Sequence, residues 1–245
     1  MKINTFDNTI TASQAAARKA ALILKKSIQD KGKAVFVVAT GVSQFEFLKA
    51  LVQDSSIDWS KTEMFHLDEY VGISDKHPAS FRKYLKERFI SKIGDVKKIN
   101  LIAGDRDDPE RECQRLNKLL ADKVVDIAFV GVGENSHLAF NDPPADFDIE
   151  DPYIIVNLDK KCRQQQVNEG WFDTINQVPE KAISMSVKQI MKSNNIICTI
   201  PGLRKALAVK NSFQGNNVTP DYPASILKES DAAFIFLDKD SASLL

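Results

Sequence analysis

Residues 34–39, Ala-Val-Phe-Val-Val-Ala, form an unbroken apolar run that ends at Thr40-Gly41. A strand with one solvated face alternates apolar and polar residues; one with no polar member must be covered on both sides. That demand is met by a parallel sheet sandwiched between helices. Further strand-like runs lie at 63–67, 99–103, 124–130, 153–156, 195–200 and 232–237, and helical runs at about 43–52, 80–93, 109–120, 160–168, 203–213 and 224–228. The alternation predicts an α/β fold, a mainly parallel sheet with helices on both faces. Thr11-Ala12-Ser13-Gln14 has the spacing of a capping box and predicts the start of an Ala-rich helix that stops at Gly32. No Gly/Ser-rich linker, repeat or low-complexity tract interrupts the pattern, so residues 1–245 are expected to form a single domain.

Charge narrows the possible ligands. Lys+Arg 33 balance Asp+Glu 33, so no protein-wide basic field draws the chain to nucleic acid or to an anionic membrane. Any anion site must be local. The N-terminus lacks the pattern of an export signal, and no apolar stretch approaches a bilayer span. Cys113, Cys162 and Cys198 are odd in number and widely spaced. Neither a disulfide framework nor a thiolate metal site follows, and a reduced, cytoplasmic setting is expected, with no metal.

Ligands of open α/β sheets bind beyond the carboxyl ends of the strands, where four segments stand out. Thr40-Gly41-Val42-Ser43 can turn its amides and a hydroxyl toward an anion; the plainer alternative makes Ser43 an N-cap with Glu46 completing a box. Gly202-Leu203-Arg204-Lys205 puts cations in a first helical turn, against the macrodipole, which a shared anion would reverse. Asp68-Glu69 closes an apolar strand. Neighbouring strand residues point to opposite faces, so one carboxylate can enter a site as a base while the other turns to a helix end. In residues 131–144, His137 is flanked by Asn135 and Asp142, either of which can orient its ring. One His with scattered acids lacks metal-ligand spacing.

These residues resemble a known family. Leu67-Asp68-Glu69-Tyr70-Val71-Gly72 followed by His77-Pro78-Ala79-Ser80-Phe81 is similar to a block of the glucosamine-6-phosphate deaminases, also called isomerases. Residues 131–143 resemble their G-x-G-x-D-G-H-x-A-F-N-E-P signature, and Gln177-Val178-Pro179 and Lys205-Ala206-Leu207-Ala208 match later blocks. The resemblance implies a Rossmann-like sheet and conversion of glucosamine 6-phosphate and water to fructose 6-phosphate and ammonia, without cofactor. It implies Asp68 as the base that moves a proton between C2 and C1, and His137 in ring opening, with Asp142 in place of the family's Glu. Gly41, Val42, Ser43 and Lys205 would hold the phosphate, with a phosphorylated amino sugar as the partner molecule. It leaves a homo-oligomer open.

The departures also carry expectations. Asn135 stands where the signature has Asp, and Ser136 where it has Gly. As a candidate catalytic residue, Asn135 is expected to accept a bond from the imidazole without neutralising an imidazolium, which implies altered ring opening. Gln166 aligns with a family Arg, so Arg163, one turn earlier, is expected to substitute in the phosphate site. Residues 152–155 lack the basic character of the family's allosteric site. Two competing readings are a 6-phosphogluconolactonase-type hydrolase and a non-catalytic phosphosugar-binding protein, the latter motivated by Asn135.

Overall fold

The computed structural model describes residues 1–245. Its strands and helices, in chain order, are β1 (Lys2–Phe6), α1 (Thr9–Lys31), β2 (Ala34–Val38), α2 (Phe45–Leu51), β3 (Thr62–His66), β4 (Asp68–Tyr70), α3 (Phe81–Arg88), β5 (Lys98–Asn100), α4 (Pro109–Leu120), β6 (Ile127–Val130), β7 (Tyr153–Asn157), α5 (Lys160–Asn168), β8 (Lys181–Met185), α6 (Val187–Met191), β9 (Ile196–Ile200), α7 (Ala206–Phe213) and β10 (Ala233–Asp238). Short 3-10 turns at Val42–Gln44 and Leu203–Lys205 lead into α2 and α7, and Pro223–Glu229 is 3-10 helix throughout.

The main sheet has the order β1-β10-β9-β6-β2-β3-β5, with every pair parallel. The apolar run of β2 explains itself: Val35 and Val37 face a core built with α4, α6 and α7, while Phe36 and Val38 face a second core built with α1, α2 and α3. From β2 the chain runs outward through β3 to β5; from β6 it runs the other way through β9 to β10. The strand order therefore reverses between β2 and β6, and the carboxyl ends of these strands open a crevice.

The structure departs from the sequence reading in several places. Helix α1 begins at Thr9, capped by Asn8: Thr11 N donates to Asn8 Oδ1 at 3.0 Å, and Asn8 N donates to Thr11 Oγ1 at 3.4 Å. Thr11 belongs to the box as its third residue, and Gly32 ends the helix at φ 71° as expected. Ser43 caps nothing; it lies inside a 3-10 turn whose start has no side-chain cap. The run expected at 153–156 is β7, which belongs to a separate antiparallel sheet, β4-β8-β7.

Leu67 joins the two sheets. Its N–H donates to Val38 O at 3.0 Å in the first, and its carbonyl accepts from Met185 N at 2.9 Å toward the second. The next residue, Asp68, is thereby fixed by strand pairing at the edge of the crevice. Below it an aromatic cluster of Tyr70, Phe81, Phe140 and Phe172 fills the space between the second sheet and α5.

Candidate active site

A cavity of about 270 Å³ opens at the switch point between β2 and β6. Two similar turns form one end of it. Gly41 after β2 (φ 96°) and Gly202 after β9 (φ 91°) both adopt positive φ and both lead into a 3-10 turn. The first amides of a helical turn have no carbonyl partner within it, and residues 41–43 and 202–205 line the cavity. Gln44, fully buried, ties the turns together: its Nε2 donates to Thr199 Oγ1 at 2.8 Å and Val130 O at 3.3 Å. Gly131 permits the close approach, since a Cβ there would meet Ser43 Oγ at 2.7 Å. Val42 lines the cavity as well, although the residue is 47% exposed.

Lys205 supplies the charge. It is buried at 8% exposure, lines the cavity and forms no ion pair. Burial pushes its pKa down. Arg204 instead pairs with Glu134 at 3.0 Å, both partly exposed. Glu169 and Glu134 act on this ammonium without forming an ion pair with it, and an ammonium held away from water without a paired counter-ion is costly unless a ligand anion supplies one.

Asp68 lies deeper in the cavity, 7% exposed. Burial, and then the neighbouring Glu69 charge, push its pKa up to about 8. Glu69 takes the opposite face, as strand geometry requires. It receives Ser80 Oγ at 3.0 Å, Phe81 N at 3.3 Å and Arg82 N at 2.8 Å at the start of α3, besides its own strand's Tyr70 N. Burial still raises it, to about 7, against those donors. Of two adjacent carboxylates, one anchors a helix and the other is left for chemistry.

His137 completes the site. Its Nδ1 stands 3.1 Å from Asp142 Oδ1, so the acid one methylene shorter than the family's Glu still reaches the ring. Burial pushes Asp142 up, but the bonds from His137, Asn135 and the Asp159 amide outweigh it and hold the carboxyl below its usual range. Gly133 makes room for the ring: a Cβ on it would fall 2.2 Å from His137 Cε1. Gly133→Ala is therefore expected to displace the imidazole and cut kcat by about 100-fold with little change in phosphate affinity, measured by steady-state kinetics beside inorganic-phosphate competition. Ser136, where the family signature has Gly, adopts φ 70°, the conformation that glycine serves without strain.

Two expected roles are corrected. Arg163 lies outside the cavity: its guanidinium donates to Ile175 O at 2.8 Å and Val178 O at 3.0 Å, fastening the loop after α5. Gln165, Gln166 and Glu169 are the α5-side residues that line the cavity, and Gln166 accepts from Tyr70 Oη at 2.7 Å. Asn135 does not bond the imidazole. Its Oδ1 accepts the backbone N–H of His137, and its amide donates to Asp142 and Asp159. Sequence reasoning missed Gln44 and Asp159. Asp159 was detectable only as an N-cap ahead of a helix at 160; the direction of its second oxygen has no sequence signal.

His137, Asp142 and Cys162 offer ligand atoms within 4.8 Å of one another. The third would need to be a thiolate, yet burial and the Asp142 and Asp159 charges raise the Cys162 thiol well above its usual range. The donor set fits a proton-handling pair better than a metal centre.

An open, doubly wound sheet with a buried cation, a desolvated carboxylate and a His–Asp pair at its switch point defines a class: Rossmann-like α/β enzymes that act on small anionic metabolites. Within that class the chain belongs to the glucosamine-6-phosphate isomerases/6-phosphogluconolactonase family, which it matches over residues 7–236. It is 35% identical to a glucosamine-6-phosphate deaminase of Clostridium acetobutylicum over the whole of both chains. It is also 35% identical to the one of Oenococcus oeni, over 100% of this chain and 99% of that one. A solved monomeric glucosamine-6-phosphate deaminase superposes with TM-score 0.89 at 30% identity, covering both chains fully. A 6-phosphogluconolactonase of Trypanosoma brucei shares the fold, with TM-score 0.81 at 16% identity. No helix is long and apolar enough to cross a membrane.

Proposed function

We propose that this chain, as one catalytic domain working in the cytoplasm, converts glucosamine 6-phosphate and water to fructose 6-phosphate and ammonia. The observation that carries the reading is the pairing, in one cavity, of an unpartnered buried Lys205 with a desolvated Asp68 whose charge no donor stabilises. The first suits a phosphate and the second a carbon acid. Lys205 and the turns at Gly41–Ser43 and Gly202 hold the phosphate, and its binding energy positions the far end of the sugar.

His137, oriented by Asp142, moves the proton that opens the ring to the aldehyde. Asp68 then takes the C2 proton; the C2–H electrons form the C1=C2 bond, and the displaced C1=O electrons take a proton from the substrate's own C2 ammonium, giving an enol hydroxyl and a neutral C2 amine. From this cis-enolamine Asp68 returns its proton to C1, leaving an iminium at C2. Water adds there and ammonia departs, giving the 2-ketose. Raising the carboxyl pKa toward that of a carbon acid is what makes both transfers accessible to one residue.

The test is release of ammonia and fructose 6-phosphate from glucosamine 6-phosphate by purified protein, with galactosamine 6-phosphate and 6-phosphogluconolactone in parallel. Turnover of the lactone alone would replace this reading with the hydrolase. Phosphosugar binding without turnover of any of the three would replace it with the binding protein.

A further inference from the structure

Asn135 sits between two carboxylates. Its amide nitrogen donates to Asp142 Oδ1 at 3.0 Å and to Asp159 Oδ2 at 3.2 Å. Asp142 Oδ2 in turn accepts the Asp159 backbone N–H at 2.9 Å, while Asp142 Oδ1 faces His137 Nδ1 at 3.1 Å. The other Asp159 oxygen caps α5 by accepting Cys162 N. Asp142 is therefore held from three sides, by a histidine, an amide and a helix-start N–H. The ionisable groups in this cluster are His137, Asp142, Asp159 and the Cys162 thiol, with Asp68 in the adjoining cavity.

The amide matters because an amide NH₂ has two protons and a carboxylate has none. With Asp at position 135, the atom facing Asp142 and Asp159 at these distances would be a third carboxylate oxygen. Two carboxylates in such contact already resist sharing a site without a proton; three in the same space would force protonation or rotation of Asp142 away from His137. The Asp of the family signature thus does not fit this neighbourhood as it stands. One carboxylate, Asp142, faces the histidine, and a second, Asp159, stands one amide further away.

We propose that Asp159 is a positioning residue that supplies, through the Asn135 amide, a second carboxylate behind the His137–Asp142 pair, so that the amide at 135 and the acid at 159 work as one unit whose members can be exchanged. This rests on the deaminase reading for its kinetic readout. Its logic separates Asp159 from a mere helix cap, because Asn caps a helix start as well as Asp does. Asp159→Asn can keep its one oxygen on the cap, and it then loses the charge together with the oxygen that accepts from Asn135.

The experiment compares Asn135→Asp, Asp159→Asn and the double exchange for kcat, KM, the pH profile of kcat and Tm. The expected result is a fall in kcat of about 50-fold for Asn135→Asp, with its acid limb moved to higher pH, and of about 10-fold for Asp159→Asn at unchanged KM. The double exchange should return kcat to within about 3-fold of wild type, with its pH profile. Asn135→Asp as active as wild type, or a double exchange no better than the worse single, would overturn the proposal. An inactive wild type would count against the deaminase reading alone. The exchange is then read from Tm at pH 8, lowered by Asn135→Asp and restored in the double variant; additive losses there would overturn it.

Discussion

Asp68→Asn is expected to lower kcat on the order of 10³-fold or more while raising Tm. The first effect follows from removing the desolvated cavity carboxylate proposed as the base between two carbons. The second follows from linkage. The folded-state pKa of Asp68 stands at about 8, above the unfolded value of about 3.9. Between those values the folded state binds the proton more tightly. Its contribution to stability is complete below about pH 4 and is lost as pH rises through 8.

Asn imitates the protonated acid at every pH, so the Tm difference between variant and wild type should widen from pH 6 to pH 9. In wild type, kcat/KM should rise with pH through about 8 as Asp68 becomes a base. A variant that keeps more than about 1% of the activity would show that another group moves the proton; a Tm unchanged at pH 9 would show that Asp68 is solvated.

The parts legible in the sequence were those set by local pattern. The strand at 34–38 was readable because burial on both faces removes every polar residue, and the helix at 109–120 because Asp108, Pro109 and a strong apolar stripe mark it. Strands β1 and β8 were not, because Lys-Ile-Asn-Thr-Phe on an edge and Lys-Ala-Ile-Ser-Met in a small second sheet carry weak patterns in short segments. The split of the chain at Leu67 into two sheets leaves no local trace, since the residues on both sides are β-like. The placement of Asp68, His137 and Lys205 on the cavity was legible because each follows a recognisable strand. The roles of Arg163 and Asn135 were misread for one reason. Spacing along a helix or loop fixes which face a side chain leaves from, but not which long-range partner captures it, and here the Ile175 and Val178 carbonyls and the Asp159 carboxylate did so.

Lys205→Met is the second large effect, and its two halves have opposite signs. A charge-assisted contact to a phosphate contributes about 1.5–3 kcal/mol, so KM should rise roughly 10- to 100-fold, with a smaller fall in kcat because phosphate binding also positions C2. In phosphate-free buffer, however, the variant should melt higher than wild type. The buried ammonium has its pKa pushed down by desolvation, so its charged form costs stability at neutral pH. A thioether of similar length fills the same space without that cost.

Inorganic phosphate tests the two together. It should raise the Tm of wild type by binding the folded state and leave the variant nearly unchanged, reversing the order of the two melting curves as phosphate is added. An equal response in both would place the anion elsewhere, and Arg204 would be the first alternative because it is the other cation lining the cavity. Its pairing with Glu134 argues against that, since an anion would have to displace a carboxylate to reach it. Lys205 needs no such exchange. The charge that costs most without an anion is therefore the one that the proposed function assigns to the substrate phosphate.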